Sequence, residues 1–165
     1  MIDYQVRPLD KTELHFLREM FYASFFVPEG QAPFPREMID RPDLAKYIKD
    51  WGSGKDDLSL VAKRENELLG LVWGRSFTYA NKGYGFVDKN TPEIGIAIRE
   101  SFRGQGVGTV LIRSIQQKYL DLGVRRLSLS TDKRNAAKRL YERMGFQVVM
   151  EEETALTMLW EAGKK

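Results

Sequence analysis

Three glycines, Gly104, Gly106 and Gly108, alternate along the stretch RGQGVG, directly after Arg103. They fall where a strand-like alternation, EIGIAI, gives way to apolar residues at helical spacing. A helix start has unpaired backbone N–H groups and a partial positive charge. Residues without side chains let an anion approach those groups closely. The stretch reads as a phosphate cradle, with Arg103 beside the same anion. Glycines alone fit equally well a tight strand-to-helix turn that needs their backbone freedom. Two common nucleotide fingerprints fail. The pattern G-x-G-x-x-G meets Thr109 at its third glycine, and no Gly-Lys-Ser/Thr follows for a Walker loop.

The other side chains narrow the chemistry. There is no cysteine, which excludes disulfides, thiolate nucleophiles and cysteine-bound metal. The single histidine, His15, sits in TELHFLREMF, a surface-helix pattern, so neither a histidine triad nor a zinc site is expected. Glu93 opens the strand that leads into the glycines. A carboxylate there is either an exposed strand-edge residue or a proton acceptor. Tyr141 lies on the apolar stripe of a later helix, where pattern alone favours a core position.

The chain has 165 residues and a net charge of +3 with both signs interspersed, which fits one domain spanning residues 1–165. No basic stripe suggests nucleic acid. Apolar runs such as LLGLVW are too short for a bilayer, and MIDYQVRPLD lacks the pattern of a secretory signal. The expectation is a cytoplasmic protein, monomeric or homodimeric, without a membrane or nucleic-acid partner.

These residues need elements to hold them. YQVRPL reads as a first strand. Asp10 and Glu13 form a capping pair for a helix whose stripe is Leu14, Leu17 and Phe21. A long Pro- and Gly-rich loop, VPEGQAPFPREMIDRPD, precedes a short helix near LAKYIKDW. DLSLVAKRE and ELLGLVWGRSFTY are strands joined near Glu65–Asn66, and PEIGIAI is the next. A helix follows with Val107, Leu111, Ile115, Tyr119 and Leu122 on one side and Gly123 at its end. RRLSLST is a strand, Ala137–Met144 a helix closed by Gly145, and FQVVM and TALTMLW the last strands. The order predicts a mixed α/β fold, a sheet with helices on its faces and two strand-helix crossover units.

EIGIAIRESFRGQGVGTVLI together with AAKRLYERMGF resembles the GNAT superfamily of N-acetyltransferases. The first block matches that family's acyl-CoA pyrophosphate loop, (Q/R)-x-x-G-x-(G/A). The second matches its following helix, ending L-Y-E-x-x-G-F. The resemblance implies a central, largely antiparallel mixed sheet of six or seven strands with about four helices. It implies that backbone amides of Arg103, Gly104, Gln105, Gly106, Val107 and Gly108 bind the pyrophosphate of acetyl-CoA. It also implies that the backbone of Ile96, Ala97 and Ile98 binds the pantetheine arm. Gly95 and Ala97 share the face opposite Ile94, Ile96 and Ile98, leaving room there for an acyl chain. Tyr141 corresponds to the tyrosine near the CoA sulfur. A thiol near ~8.5 and a phenol near ~10 make full proton transfer uphill, so a hydrogen bond to the sulfur is the milder role. Glu93 corresponds to a general base used by several members, with Asp88 as the alternative. The family's pantetheine asparagine falls at Arg134, one residue before Asn135. Asn135 is kept as the binding candidate and also fits a helix N-cap. Lys133, Arg134, Lys138 and Arg139 are candidates for the 3′-phosphate or for a solvated basic face.

The implied reaction is direct acetyl transfer from acetyl-CoA to an amine, without metal or acyl-enzyme. The alternative is a non-catalytic acyl-CoA sensor or partner-binding domain. The acceptor, a small amine or a protein amino group, is expected between FFVPEGQAPFPREM and TYANKGYGFVDKN. Tyr79, Tyr84 and Phe86 with Glu29 and Asp88 suit a cation with an apolar part.

Overall fold

A computed structural model describes residues 3–164. Seven strands form one sheet: β1 (Gln5–Pro8), β2 (Leu58–Arg64), β3 (Glu67–Arg75), β4 (Glu93–Ile98), β5 (Arg126–Asp132), β6 (Gln147–Glu151) and β7 (Ala155–Glu161). Their spatial order is β1-β2-β3-β4-β5-β7-β6. Every neighbouring pair is antiparallel except β4–β5. The helices are α1 (Leu14–Ala23), α2 (Pro42–Ala45), α3 (Val107–Asp121) and α4 (Lys138–Arg143). This is the mixed fold expected from the element order.

Alternation along the central strands sends side chains to two cores. Leu60, Val72 and Ile94 pack under Leu111, Ile115 and Tyr119 of α3, together with Tyr141 and Phe146. Val61, Leu71, Trp73 and Ala97 pack under Phe16, Leu17, Met20 and Phe21 of α1. The Asp10–Glu13 capping box forms, and a short 3-10 turn at Lys11–Glu13 precedes α1. Leu14 is exposed, so the buried stripe of α1 is carried by Phe16, Leu17, Met20 and Phe21. Leu122 is exposed as well, just past the end of α3. The expected helix at LAKYIKDW is only the four residues of α2, followed by turns.

Those turns are fixed from below. The Arg75 guanidinium, at the end of β3, donates to both carboxylate oxygens of Asp57 and to the carbonyls of Lys46 and Lys49. It also lies over the Trp51 ring at 4.9 Å. A buried, bidentate pair that also satisfies backbone carbonyls is rigid, and removing one partner costs about 3–5 kcal/mol. The clamp holds Tyr47 over the start of β4, since Arg75 and Glu93 face each other in the ladder.

α3 completes a crossover between β4 and β5, but these parallel strands pair only at Glu93↔Ser128. Beyond that point the edge of β4 facing β5 has no ladder. The second expected crossover, through α4, leads to β6, which lies one strand away because β7 inserts between β5 and β6.

Candidate active site

The glycine loop sits where its sequence predicts. Gly104 and Gly106 have φ of 71° and 85°, the left-handed region that glycine adopts without strain. A side chain at either would meet nothing within 4 Å. The loop is therefore open toward solvent. The amides of Gly104, Gln105 and Gly106 donate to no backbone acceptor among the described residues. They stand beside the N-terminus of α3, a 15-residue helix with no side-chain cap. This row of free amides at a positive helix end fits a diphosphate. Gly108 has a different reason: a Cβ there would press on Leu140 of α4 at 3.1 Å. Arg103 folds back so that its Nε donates to the Ile98 carbonyl at 3.0 Å, joining the loop to the end of β4.

At the other end of β4, Glu93 is buried at 6 % exposure. Its Oε2 accepts from the Tyr47 hydroxyl at 2.7 Å, and its Oε1 from the Gly85 amide at 2.9 Å. The Tyr47 oxygen in turn accepts from the Tyr84 amide at 2.6 Å. Gly83 lies so close to Glu93 and Tyr47 that a Cβ would collide with both. Burial pushes the Glu93 carboxyl up to about 7, although the Tyr47 and Gly85 hydrogen bonds favour its charged form. Tyr47, desolvated beside this carboxylate, is pushed far above the phenol range and stays protonated.

Tyr141 is buried on α4, edge-on to Phe146 at 6.3 Å. Burial raises its phenol to about 12. Glu93 and Tyr141 line the same cleft of about 390 Å³, which opens between β4 (Ile94, Gly95, Ile96) and β5 (Leu129, Ser130, Thr131). Asn135 lines it too, but it is not the N-cap of α4: that position is Ala137, and the Asn135 Oδ1 accepts from the Ala137 amide at 2.9 Å in the turn before the helix.

The sequence profile of the Acetyltransferase (GNAT) family matches residues 14–146, which include the loop, β4 and α4. The chain belongs to this family. No curated protein matches it. Among solved structures, the PaiA N-acetyltransferase from Thermoplasma acidophilum in complex with coenzyme A superposes with a TM-score of 0.70 at 17 % identity. That match covers 97 % of this chain and 99 % of the other. The ribosomal-protein-S18-alanine N-acetyltransferase from Escherichia coli gives 0.66 at 16 %, covering 99 % and 96 %. A GNAT family acetyltransferase from Brucella melitensis in complex with acetyl-CoA gives 0.64 at 20 %, covering 99 % and 90 %. The GNAT fold therefore extends over almost the whole chain.

Within this GNAT frame several sequence expectations change. The space above Gly95 is filled by Trp73, whose indole would meet a Cβ at 2.6 Å, and Ala97 is buried under α1. The side-chain space above Gly95 is thus taken by Trp73, which itself lines the cleft beside β4. Asp88 is outside the cleft: it pairs with Arg126 at 2.7 Å and lines a separate depression with Lys55 and Asp56. Burial works against its charge, but Thr91, Asn90 and Arg126 hold it below its ordinary value. Such a carboxylate is a poor base near neutrality, which leaves Glu93 or water as the candidate bases. Of the basic cluster, Lys133, Arg134 and Lys138 pair with Glu151, Asp132 and Glu142, leaving Arg139 outside any ion pair among the described residues.

The cleft walls also differ from expectation. Phe25, Phe26, Phe34 and Met38 come from the first expected loop, but only Tyr84 comes from the second. Tyr79 and Phe86 pack on each other at 5.1 Å, and Glu29 is not in the lining. Sequence reasoning missed Tyr47, Trp73 and Thr131. Thr131 is buried on β5 with a hydroxyl that has no partner among the described residues. No pattern marked them, because each acquires its place through pairing or packing with distant segments.

Proposed function

We propose that the protein is an acetyl-CoA-dependent N-acetyltransferase in which an acceptor amine attacks the thioester directly. One observation carries the reading: Glu93 and Tyr141 line one cleft where β4 parts from β5, and β4 runs from that cleft to the glycine loop. Acetyl-CoA supplies an acetyl group already activated as a thioester. The amides of Gly104, Gln105 and Gly106, with those of Val107 and Gly108 at the start of α3, hold its diphosphate, while the Arg103 amide is taken by the Glu100 carbonyl. The unladdered edge of β4 offers the backbone groups of Ile96 and the amide of Ile98 to the amide-rich pantetheine arm, whereas those of Ala97 turn to Leu71 of β3 and the Ile98 carbonyl is held by Arg103. The Nδ2 of Asn135, without a partner among the described residues, adds a donor. Binding along one strand fixes the reacting carbon against the acceptor, and such positioning is worth several kcal/mol of barrier.

Glu93 takes the proton of the attacking amine, directly or through one water. Its carboxyl near 7 divides its time between both forms at neutral pH, the condition for an efficient base. Tyr141, with its phenol near 12, remains protonated. It donates a hydrogen bond to the departing sulfur as negative charge develops there. Full proton transfer from it is more uphill than for an ordinary tyrosine.

Calorimetric titration with acetyl-CoA, followed by thiol release with a panel of amines, tests the proposal. The expected result is one-site binding and acceptor-dependent release of CoA. Binding without transfer to any amine would favour a non-catalytic acyl-CoA sensor, and absence of binding would remove both.

A further inference from the structure

The outer half of the cleft carries a chemistry of its own. Its wall is aromatic. Phe25 meets Phe21 edge-on at 5.1 Å, Phe21 stacks on Tyr47 at 5.6 Å, and Tyr47 reaches the Glu93 carboxylate at 2.7 Å. A continuous aromatic surface thus runs from the mouth to the buried acid. Phe26 and Phe34 add to it near the opening. The Phe26 ring lies under the Arg134 guanidinium at 5.5 Å, and the Tyr22 hydroxyl donates to the Phe34 carbonyl. Phe34 remains 37 % exposed, and Phe25 and Phe26 are half-buried, so these rings face the opening rather than a sealed core.

Charge at the cleft is nearly cancelled. Arg41 is held by a two-point bond to Asp43, whose carboxyl Arg41 and then the Tyr84 hydroxyl draw down to about 2. Asp132 is held in the same way by Arg134 and is also near 2. Lys46 donates to the Lys82 carbonyl. Glu93 alone among the lining residues is an acid without an ion-pair partner among the described residues. The cleft thus offers one site for one cation, at the end of an aromatic wall.

We infer that the acceptor is a small primary monoamine with an aromatic body, its ring against Phe25, Phe26 and Phe34 and its amino group at Glu93. This rests on the acetyltransferase reading and specifies it. A polyamine needs a second free carboxylate, and Asp132 is engaged. A free amino acid needs an unpaired cation for its carboxylate, and Arg41 is engaged. Apolar burial and one buried charge contact are what a phenylethylamine-type molecule supplies.

The test measures kcat/KM for 2-phenylethylamine, ethylamine, spermidine, phenylalanine and a lysine-containing tetrapeptide with the same acetyl-CoA. The expected result ranks 2-phenylethylamine first, at least about tenfold above ethylamine, since each apolar group held in such a pocket is worth about that factor or more. Spermidine, phenylalanine or the tetrapeptide ranking first would overturn the inference while leaving the transferase reading intact. CoA binding with no amine acetylated would overturn both. Phe34→Ala and Phe26→Ala, at partly exposed positions, are expected to raise KM for 2-phenylethylamine about tenfold. They should leave KM for ethylamine and for acetyl-CoA unchanged, which separates loss of the ring contact from loss of fold. Equal effects on both amines would overturn the inference.

Discussion

The two ends of β4 work by opposite means. At the Ile98 end, the strand runs into an open loop whose groups are backbone amides, and Gly104 and Gly106 leave nothing within 4 Å of a Cβ. At the Glu93 end, 5 residues away along one strand, the candidate group is a side chain that lines the cleft yet is buried against Tyr47, Gly83 and Gly85. On the proposed function the open end would recognise a polyanion that arrives from solvent, and local conformation suffices for that. The closed end must change the chemistry of a carboxyl group, and only burial among distant segments does so. One strand thus joins a site made by backbone shape to a site made by desolvation.

Substitutions at each end should separate binding from chemistry. Glu93→Gln is the largest. It is expected to lower kcat at neutral pH by about 10²- to 10⁴-fold with acetyl-CoA affinity unchanged in calorimetry. The same variant bears on stability. The unfolded chain ionises this carboxyl from its ordinary 4.5, while the folded chain keeps the proton up to about 7. The folded state therefore binds more protons between those values, and stability falls as pH rises through about 7. Relative to wild type, Glu93→Gln should therefore be more stable at pH 8 than at pH 4, the gain being at most roughly 3 kcal/mol and reduced by the one hydrogen bond an amide cannot accept.

Tyr141→Phe comes next, with kcat about 10- to 1,000-fold lower and CoA binding spared. Wild-type turnover would reduce Tyr141 to a core residue. Gly106→Val forces a β-branched residue to φ near 85° and puts its side chain where the anion must lie. The strain lowers stability by about 1–3 kcal/mol, and the side chain in the proposed anion position is expected to weaken CoA affinity at least about tenfold. Tyr47→Phe is the smallest and sharpest. It removes a hydrogen bond that favours the ionised carboxylate, so the pH midpoint of kcat/KM should move upward and the neutral-pH rate fall by less than about tenfold. An unchanged midpoint would make Tyr47 a packing residue only.

The same contrast explains what could be read in the sequence. The Arg103–Gly108 loop depends on neighbours in the chain, and its pattern was visible there. So was α3, whose buried Val107, Leu111, Ile115 and Tyr119 recur at one period. The Glu93 environment joins residues 46 positions apart at Tyr47 and 8 apart at Gly85, and no local pattern encodes that. The strand alternation puts Gly95 on a face with room, but its cross-strand neighbour Trp73 occupies it, a fact of register. Asp88 and Glu93, 5 residues apart, read as interchangeable acids, yet the turn before β4 sends Asp88 to Arg126 and Glu93 to Tyr47.

The role of Glu93 as base is decided by the pH dependence of kcat/KM, measured side by side for wild type and Glu93→Gln with the best acceptor of the amine panel. In the proposed mechanism Glu93 acts in its ionised form, so the wild-type profile should rise with pH through a midpoint near 7 and level above it. The Glu93→Gln profile should lack that midpoint, lie far below wild type at neutrality, and recover only as the amine itself deprotonates. A midpoint near 7 that persists in Glu93→Gln, or rates that match wild type across the range, would contradict the account.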